Sequence, residues 1–244
     1  MSEKILLFRD AKKSYYRDGN RFIKTFDQSY SKANIFNEVL NHTRVEETGL
    51  NIPKIYGVNV AEGERAIEME YVEGETLESL MSKNPEKTDE YLDRFIDLQC
   101  EIHSKRCLFL TKFKDKMTSR IMASDLDAST RYDLCIRLNA MPMHNHLCHG
   151  DFNPSNVIIT GSGEACIIDW AHASQGNATA DAAKTYLIFL VNGKEDLAER
   201  YVEAYCKKTG TPRSYVEDWI PLVAAAQIVK VSGEKKRKMT SFIN

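Results

Sequence analysis

Three oxygen-bearing side chains stand at informative spacing in the second half of the chain. Asp151 lies in the run His149-Gly150-Asp151-Phe152-Asn153-Pro154-Ser155-Asn156, Asn156 follows it five positions on, and Asp169 comes thirteen further, in Ile167-Ile168-Asp169-Trp170. A carboxylate can accept a proton from an attacking hydroxyl, and a second carboxylate with an amide offers the hard oxygens that Mg²⁺ prefers when it bridges nucleotide phosphates. Such a set serves phosphoryl transfer, which asks a protein mainly for positioning and charge neutralisation. Asp151 is therefore the candidate base, and Asn156 and Asp169 are the candidate metal ligands.

These groups need elements to hold them. Ile5-Leu6-Leu7-Phe8 reads as a short strand. Tyr15-Tyr16 and Phe22-Ile23-Lys24-Thr25-Phe26 flank the turn signal Asp18-Gly19-Asn20 and pair as a hairpin, so alternation puts Phe22, Lys24 and Phe26 on one face. A helix over 32–47 carries Ile35, Phe36, Val39 and Leu40 as an apolar stripe and ends at Gly49. Glu38 falls beside that stripe and wants a cation, for which Lys24 is the obvious partner, with Glu46 and Glu47 the competing carboxylates. Strands near 52–58 and 66–72 meet at a turn over Ala61-Glu62-Gly63-Glu64, and a helical region follows from Glu73. Later helices are expected at 113–122, 128–139, 181–191, 194–208 and 215–229, after one opened by Asn84-Pro85 with Tyr91, Phe95, Leu98 and Ile102 on its core face. A hairpin turned by Gly161-Ser162-Gly163 carries Asn156 and Asp169 at its open ends. Ile158 and Ile168 on its arms can floor an adenine pocket or simply fill the hairpin core.

The run resembles the catalytic loop of the protein-kinase-like superfamily, His-x-Asp-x-x-x-x-Asn, with Asp169 where the aspartate of Asp-Phe-Gly falls. The His-Gly-Asp form with Ile-Ile-Asp-Trp is similar to the aminoglycoside phosphotransferase and choline kinase branch. That resemblance implies a bilobal protein-kinase-like α+β fold, with a small β-rich nucleotide-binding lobe over 1–72 and a larger helical catalytic and substrate-binding lobe over 73–244. It implies ATP as donor, with GTP left open, and Mg²⁺. It makes Lys24 the strand lysine on the α- and β-phosphates, held by Glu38, and assigns the adenine edge to the Glu70 C=O and the Val72 N–H, over Ile158 and Ile168. Asp181 matches a carboxylate that braces the catalytic loop, although an N-cap for the following helix is the simpler account.

Departures from the pattern narrow the acceptor. The loop Asp10-Ala11-Lys12-Lys13-Ser14 contains no glycine, which restricts backbone approach to phosphate and leaves Lys12, Lys13 or the Ser14 hydroxyl to compensate. Trp170-Ala171 replaces Phe-Gly, against a flipping switch. Asn153 stands where protein kinases carry a lysine, and only Ala171 to Ala180 separates Asp169 from Asp181, too little for a peptide platform. The expected acceptor is a small hydroxylated molecule such as an amino sugar, an aminoalcohol or a nucleoside-like metabolite, with Glu195, Asp196, Glu199, Glu203, Glu217 and Asp218 available to attract a cation or merely solvated. The alternatives that stay open are a catalytically weak nucleotide-binding pseudokinase or scaffold and an atypical protein kinase.

Composition sets the outer bounds. The 244 residues are 43% hydrophobic and 28% charged with net charge −2, ordinary for a soluble protein and without a basic field for nucleic acid. Lys235-Lys236-Arg237-Lys238 reads as a solvated helix end. No apolar run approaches the roughly 18 residues of a membrane span, and the N-terminus lacks a signal-peptide pattern. A cytoplasmic enzyme, monomeric or weakly dimeric, is expected. The six cysteines form no Cys-x-x-Cys pair, and His144, His146 and Cys148 lack a fourth zinc ligand.

Overall fold

Strands β1 (Ile5–Arg9), β2 (Lys13–Asp18) and β3 (Arg21–Phe26) run antiparallel. Gly19, at φ 60°, supplies the left-handed turn between the last two, a conformation costly for residues with a Cβ. Helix α1 (Lys32–Glu46), strands β4 (Ile55–Ala61), β5 (Glu64–Glu70) and β6 (Gly74–Thr76), and helices α2 (Leu77–Lys83), α3 (Thr88–Ser104), α4 (Phe113–Met122) and α5 (Ala128–Ala140) follow. The chain continues through β7 (His146–Cys148), β8 (Val157–Thr160), β9 (Ala165–Ile167) and β10 (Ser174–Gly176) to α6 (Ala178–Val191), α7 (Glu195–Thr209), α8 (Arg213–Gln227) and α9 (Gly233–Thr240). This computed structural model describes residues 4–61 and 64–243. The turn expected at Ala61-Glu62-Gly63-Glu64 involves residues 62 and 63, which lie outside the described residues, as does Met1-Ser2-Glu3.

The fold is α+β and divides into two compact units, one of Met1–Pro85 with Pro154–His172 and the other of Glu86–Asn153 with Ala173–Asn244. The division expected at residue 72 differs in two respects. The first unit reaches Pro85 because α2 is joined to β6, and it reclaims the β8–β9 hairpin because β6 pairs with β8 in a three-stranded sheet ordered β6-β8-β9. A Cβ at Gly74 would collide with the Ile159 backbone oxygen, so glycine permits that close pairing.

In the first unit the main sheet is ordered β1-β2-β3-β5-β4, and Phe26, Ile35 and Ile67 form the buried centre between sheet and α1. The stripe expected on α1 is rotated. Ile35 is buried, but Phe36 and Leu40 are 53% and 45% exposed, while Glu38, Asn41 and His42 turn inward. Apolarity alone mislocates this face because its polar residues have buried partners: His42 Nε2 meets Pro53 O at 2.5 Å and Asn41 Nδ2 donates to Ala171 O at 3.1 Å.

The second unit is helical, with α8 packing on α4 and α6, and α6 on α7. The buried face of α3 is Leu92, Phe95, Ile96, Gln99, Ile102 and His103, partly displaced from the expected one. The expected helix starts shift too: α6 begins at Ala178, capped by Asn177 Oδ1, which accepts from Thr179 N at 2.9 Å. Among the described residues no helix is long and apolar enough to cross a membrane.

Candidate active site

Lys24 lies near the middle of β3, registered against Tyr15 and Ile67 on the neighbouring strands, and is only 5% exposed. Its Nζ donates to Glu38 Oε1 of α1 at 2.5 Å and stands 3.9 Å from Asp169 Oδ1. Burial works to strip the Lys24 proton, yet the Asp169 and Glu38 carboxylates outweigh it and hold the ammonium well above the usual lysine range. The Lys24 ammonium is thus held charged and fixed in a buried place, and removing either partner of such a pair costs about 3–5 kcal/mol of stability. Tyr15, which sequence reasoning passed over, lies with its ring centroid 5.9 Å from the ammonium, its phenol pushed up to about 12 chiefly by burial.

Asp169 adopts φ 62°, the one non-glycine residue at positive φ among those described. Such a backbone costs an Asp about 1 kcal/mol or more and marks a constrained position. The constraint comes from both sides: Ile168 N donates to Asn156 O at 3.0 Å, and Trp170, fully buried, donates its Nε1 to Ile167 O at 3.0 Å. Asn41 on α1 holds the next carbonyl, Ala171 O. Asp169 keeps 42% of its side chain exposed, whereas Asn156 is 9% exposed at the end of a one-turn helix, Pro154–Asn156. Both side chains carry the oxygen donors a hard divalent cation takes, and Lys24 carries the charge a phosphate takes, so these residues fit a metal nucleotide.

Asp151 belongs to the second unit, where α6 builds its loop. Asp181, Lys184 and Thr185 lie on one face of α6 at spacings of three and four. The buried Asp181 carboxylate accepts from His149 N at 3.0 Å, Gly150 N at 2.8 Å and His103 Nε2 of α3 at 3.2 Å. Burial opposes its charge, but His103 and the loop amides overcome that and hold the carboxyl below its usual range. Lys184 Nζ donates to Gly150 O and sits 3.2 Å from Asp151 Oδ1, and Thr185 Oγ1 donates to Phe152 O at 2.8 Å. Gly150, at φ 76°, gives the loop its bend. Phe152 stacks on Phe95 with centroids 4.3 Å apart, anchoring the loop in the core, while the Asp151 side chain remains 34% exposed.

A family model described as the phosphotransferase enzyme family matches residues 10–216, most of the chain. The chain belongs to the phosphotransferase enzyme family. Solved structures of similar fold include a thermostable mutant of aminoglycoside phosphotransferase APH(4)-Ia in ternary complex with AMP-PNP and hygromycin B, at TM-score 0.73 and 15% identity over 99% of this chain and 92% of that one. Choline kinase LicA from Streptococcus pneumoniae matches at TM-score 0.67 and 17% identity, covering 98% of this chain and 90% of its own. Aminoglycoside-3'-phosphotransferase of type VIII matches at 0.64 and 15%, covering 100% and 94%. No curated protein sequence matches.

Within this phosphotransferase the structure gathers Lys24, Glu38 and Asp169 in one unit and ties Asn156 to the residue before Asp169. Glu46 is engaged elsewhere, its Oε1 accepting from Ile55 N at 2.8 Å. Glu70 ends β5 with its amide donated to Lys54 O at 2.8 Å, and Val72 lies in the connection to β6. Ile158 and Ile168 are half-buried, whereas Val157, Cys166 and Ile167 are buried. In the glycine-free loop, Asp10 Oδ1 accepts from Lys12 N at 2.8 Å and Lys13 N at 2.9 Å, so those two amides are already used. The N-cap reading of Asp181 is replaced: Asn177 caps α6, and Asp181 is one turn inside it. Lys184, Thr185 and His103 were not singled out from sequence, although a lysine and a threonine inside the apolar run of α6 are the signal that could have found the first two.

Proposed function

We propose that the protein is an ATP- and Mg²⁺-dependent phosphotransferase that moves the γ-phosphate to a hydroxyl of a small molecule. The buried Lys24–Glu38 pair, with Asp169 at 3.9 Å from the same ammonium, is the observation that carries this reading. When bound, the metal nucleotide supplies the transferable phosphoryl group and its charge-neutralising cation. Lys24 offers a permanently charged, immobile donor to phosphate oxygens, and Asn156 and Asp169 offer ligand oxygens. Asp151 accepts the proton of the acceptor hydroxyl as the new O–P bond forms and the bond to the departing diphosphate breaks. Nucleotide binding is assigned to the unit bearing Lys24, and acceptor binding to the helical unit bearing Asp151.

A small acceptor is favoured over a peptide because the stretch after Asp169 is consumed by structure. A one-turn helix at Trp170–His172, the three residues of β10 and the Asn177 cap lead directly into α6. No segment remains to build a peptide platform.

Thermal denaturation with ATP, GTP and ADP, with and without Mg²⁺, tests the nucleotide assignment. A nucleotide at a hundred times its dissociation constant stabilises the native state by about 2.7 kcal/mol. The expected result is a Mg²⁺-dependent rise in melting temperature that shrinks in Asp169→Asn. No shift at millimolar nucleotide discards the ATP-dependent reading in favour of a scaffold, and stoichiometric autophosphorylation lost in Asp151→Asn favours a protein kinase.

A further inference from the structure

The charges around Asp151 are of the wrong sign for a cationic acceptor. Helix α4 carries Lys116 and Arg120 one turn apart, beside its buried stripe Phe113, Met117 and Ile121. Lys184 reaches Asp151 from α6, and Lys230 closes the one-turn helix that extends α8, itself packed on both α4 and α6. Lys116 Nζ donates to Ala173 O at 2.5 Å, which fixes its ammonium. The Lys230 ammonium lies within electrostatic reach of Arg120, Lys184, Lys116 and Asp151, and Arg120 within reach of Asp151. Three cations, Lys184, Arg120 and Lys230, thus surround one carboxylate, and Lys116 stands beside Arg120 and Lys184.

Desolvation and mutual repulsion both act on these ammonium groups. Burial first, and then the neighbouring cations, draw Lys116 down to about 8 and Lys230 down to about 7. A like-charge cluster of this kind is relieved when an anion arrives, and charge-assisted hydrogen bonds to phosphate or carboxylate are the strong ones. Three of the six acidic residues that would recruit a cation are turned to other work. Glu199 and Glu217 both pair with Arg213 at 2.8 Å, Glu199 also accepts from Tyr186 Oη at 2.5 Å, and Asp196 stands 3.4 Å from Arg200.

We propose that the hydroxylated acceptor is itself an anion, a small molecule bearing a phosphate or carboxylate that Arg120, Lys116 and Lys230 hold while its hydroxyl meets Asp151. Lys184 is a positioning residue for Asp151, and the other three set specificity. This inference rests on Asp151 being the base, but not on the identity of the phosphoryl donor.

Four probes on one three-carbon skeleton test it: glycerol 3-phosphate, glycerate, glycerol and the cationic serinol. Binding to the nucleotide-free protein is followed by ligand-detected NMR in wild type, Arg120→Gln, Lys230→Gln and Lys24→Ala. At least one of the two anions is expected to bind about tenfold or more tighter than glycerol and serinol, a difference of about 1.4 kcal/mol. Which anion binds better distinguishes a phosphate from a carboxylate acceptor. That affinity is expected to fall at least about tenfold in Arg120→Gln and Lys230→Gln and to survive Lys24→Ala. Within its one-turn helix Ile228, not Lys230, is the residue packed in the core, so replacing Lys230 tests charge without removing a core side chain. Equal or tighter binding of serinol, loss of anion binding through Lys24→Ala alone, or no anion binding in wild type overturns the proposal. Because no nucleotide is present, each of these outcomes is independent of the melting experiment on ATP.

Discussion

Replacing Asp151 with Asn lowers turnover by at least about a hundredfold, because general base catalysis contributes roughly 10²–10⁴ in rate and the amide cannot take the proton. The substitution keeps the shape of the side chain and removes only its charge and basicity. Lys184, 3.2 Å away, loses its carboxylate but retains the Gly150 carbonyl, so the loop keeps that tie to α6. The expected signature is a fall in kcat with little change in the nucleotide KM and an unchanged nucleotide-dependent melting shift, since Lys24 and Asp169 are untouched. Steady-state transfer of labelled γ-phosphate to an accepted hydroxyl compound measures it. Near-normal turnover would move the base elsewhere.

The largest effect on stability is expected at Asp181. Removing its side chain in Asp181→Ala leaves two loop amides and the His103 ring without their buried acceptor. Breaking a buried charged network of this kind costs about 3–5 kcal/mol, a large share of the total stability of most domains. Chemical denaturation checks the loss. Turnover is expected to fall as well, because the Asp151 loop hangs from the same carboxylate. The same group makes the fold acid-sensitive. Its folded-state pKa is depressed below the ordinary 3.8, so its stabilisation is complete above that value and is lost as pH falls through 3.8 toward the lower folded value. In Asp181→Asn that part of the acid dependence is expected to disappear, and an unfolding profile with undiminished acid sensitivity would remove Asp181 as its source.

Much of this was readable from residue order. The turn at Gly19 fixes the β2–β3 register, so Lys24 could be placed on a strand face and matched to Glu38 fourteen residues later, and the structure joins the two at 2.5 Å. The spacing of Asn156 and Asp169 likewise predicts a hairpin between them, observed as β8 and β9. What sequence could not show was set by partners distant along the chain. The α1 face was misjudged because Asn41 satisfies a carbonyl 130 residues away. The three-residue strand β6 has no pattern of its own and exists through pairing with β8. The cations near Asp151 come from α4, α6 and the one-turn helix after α8, and apart from Lys184 in the apolar run of α6 each reads in sequence as one more surface charge. The family match covers most of the chain without fixing which acceptor it serves, since fold and chemistry are carried by different residues.

The recruitment of the β8–β9 hairpin into the first unit also bears on how the chain is made. Residues up to Pro85 emerge first, yet the strand that completes the sheet beside Gly74 and the residues that pack on α1 are not synthesised until 157–172. Closing so long a loop is itself inexpensive, each doubling of length adding only about 0.6 kcal/mol. The delay is the greater hazard. Until then the nascent chain presents an unpaired strand edge and lacks the β8 residues that pack on α2, the condition in which a half-finished sheet recruits a neighbour. The first eighty-five residues are therefore a poor candidate for separate expression, and a chain broken near Asn153 leaves both fragments incomplete.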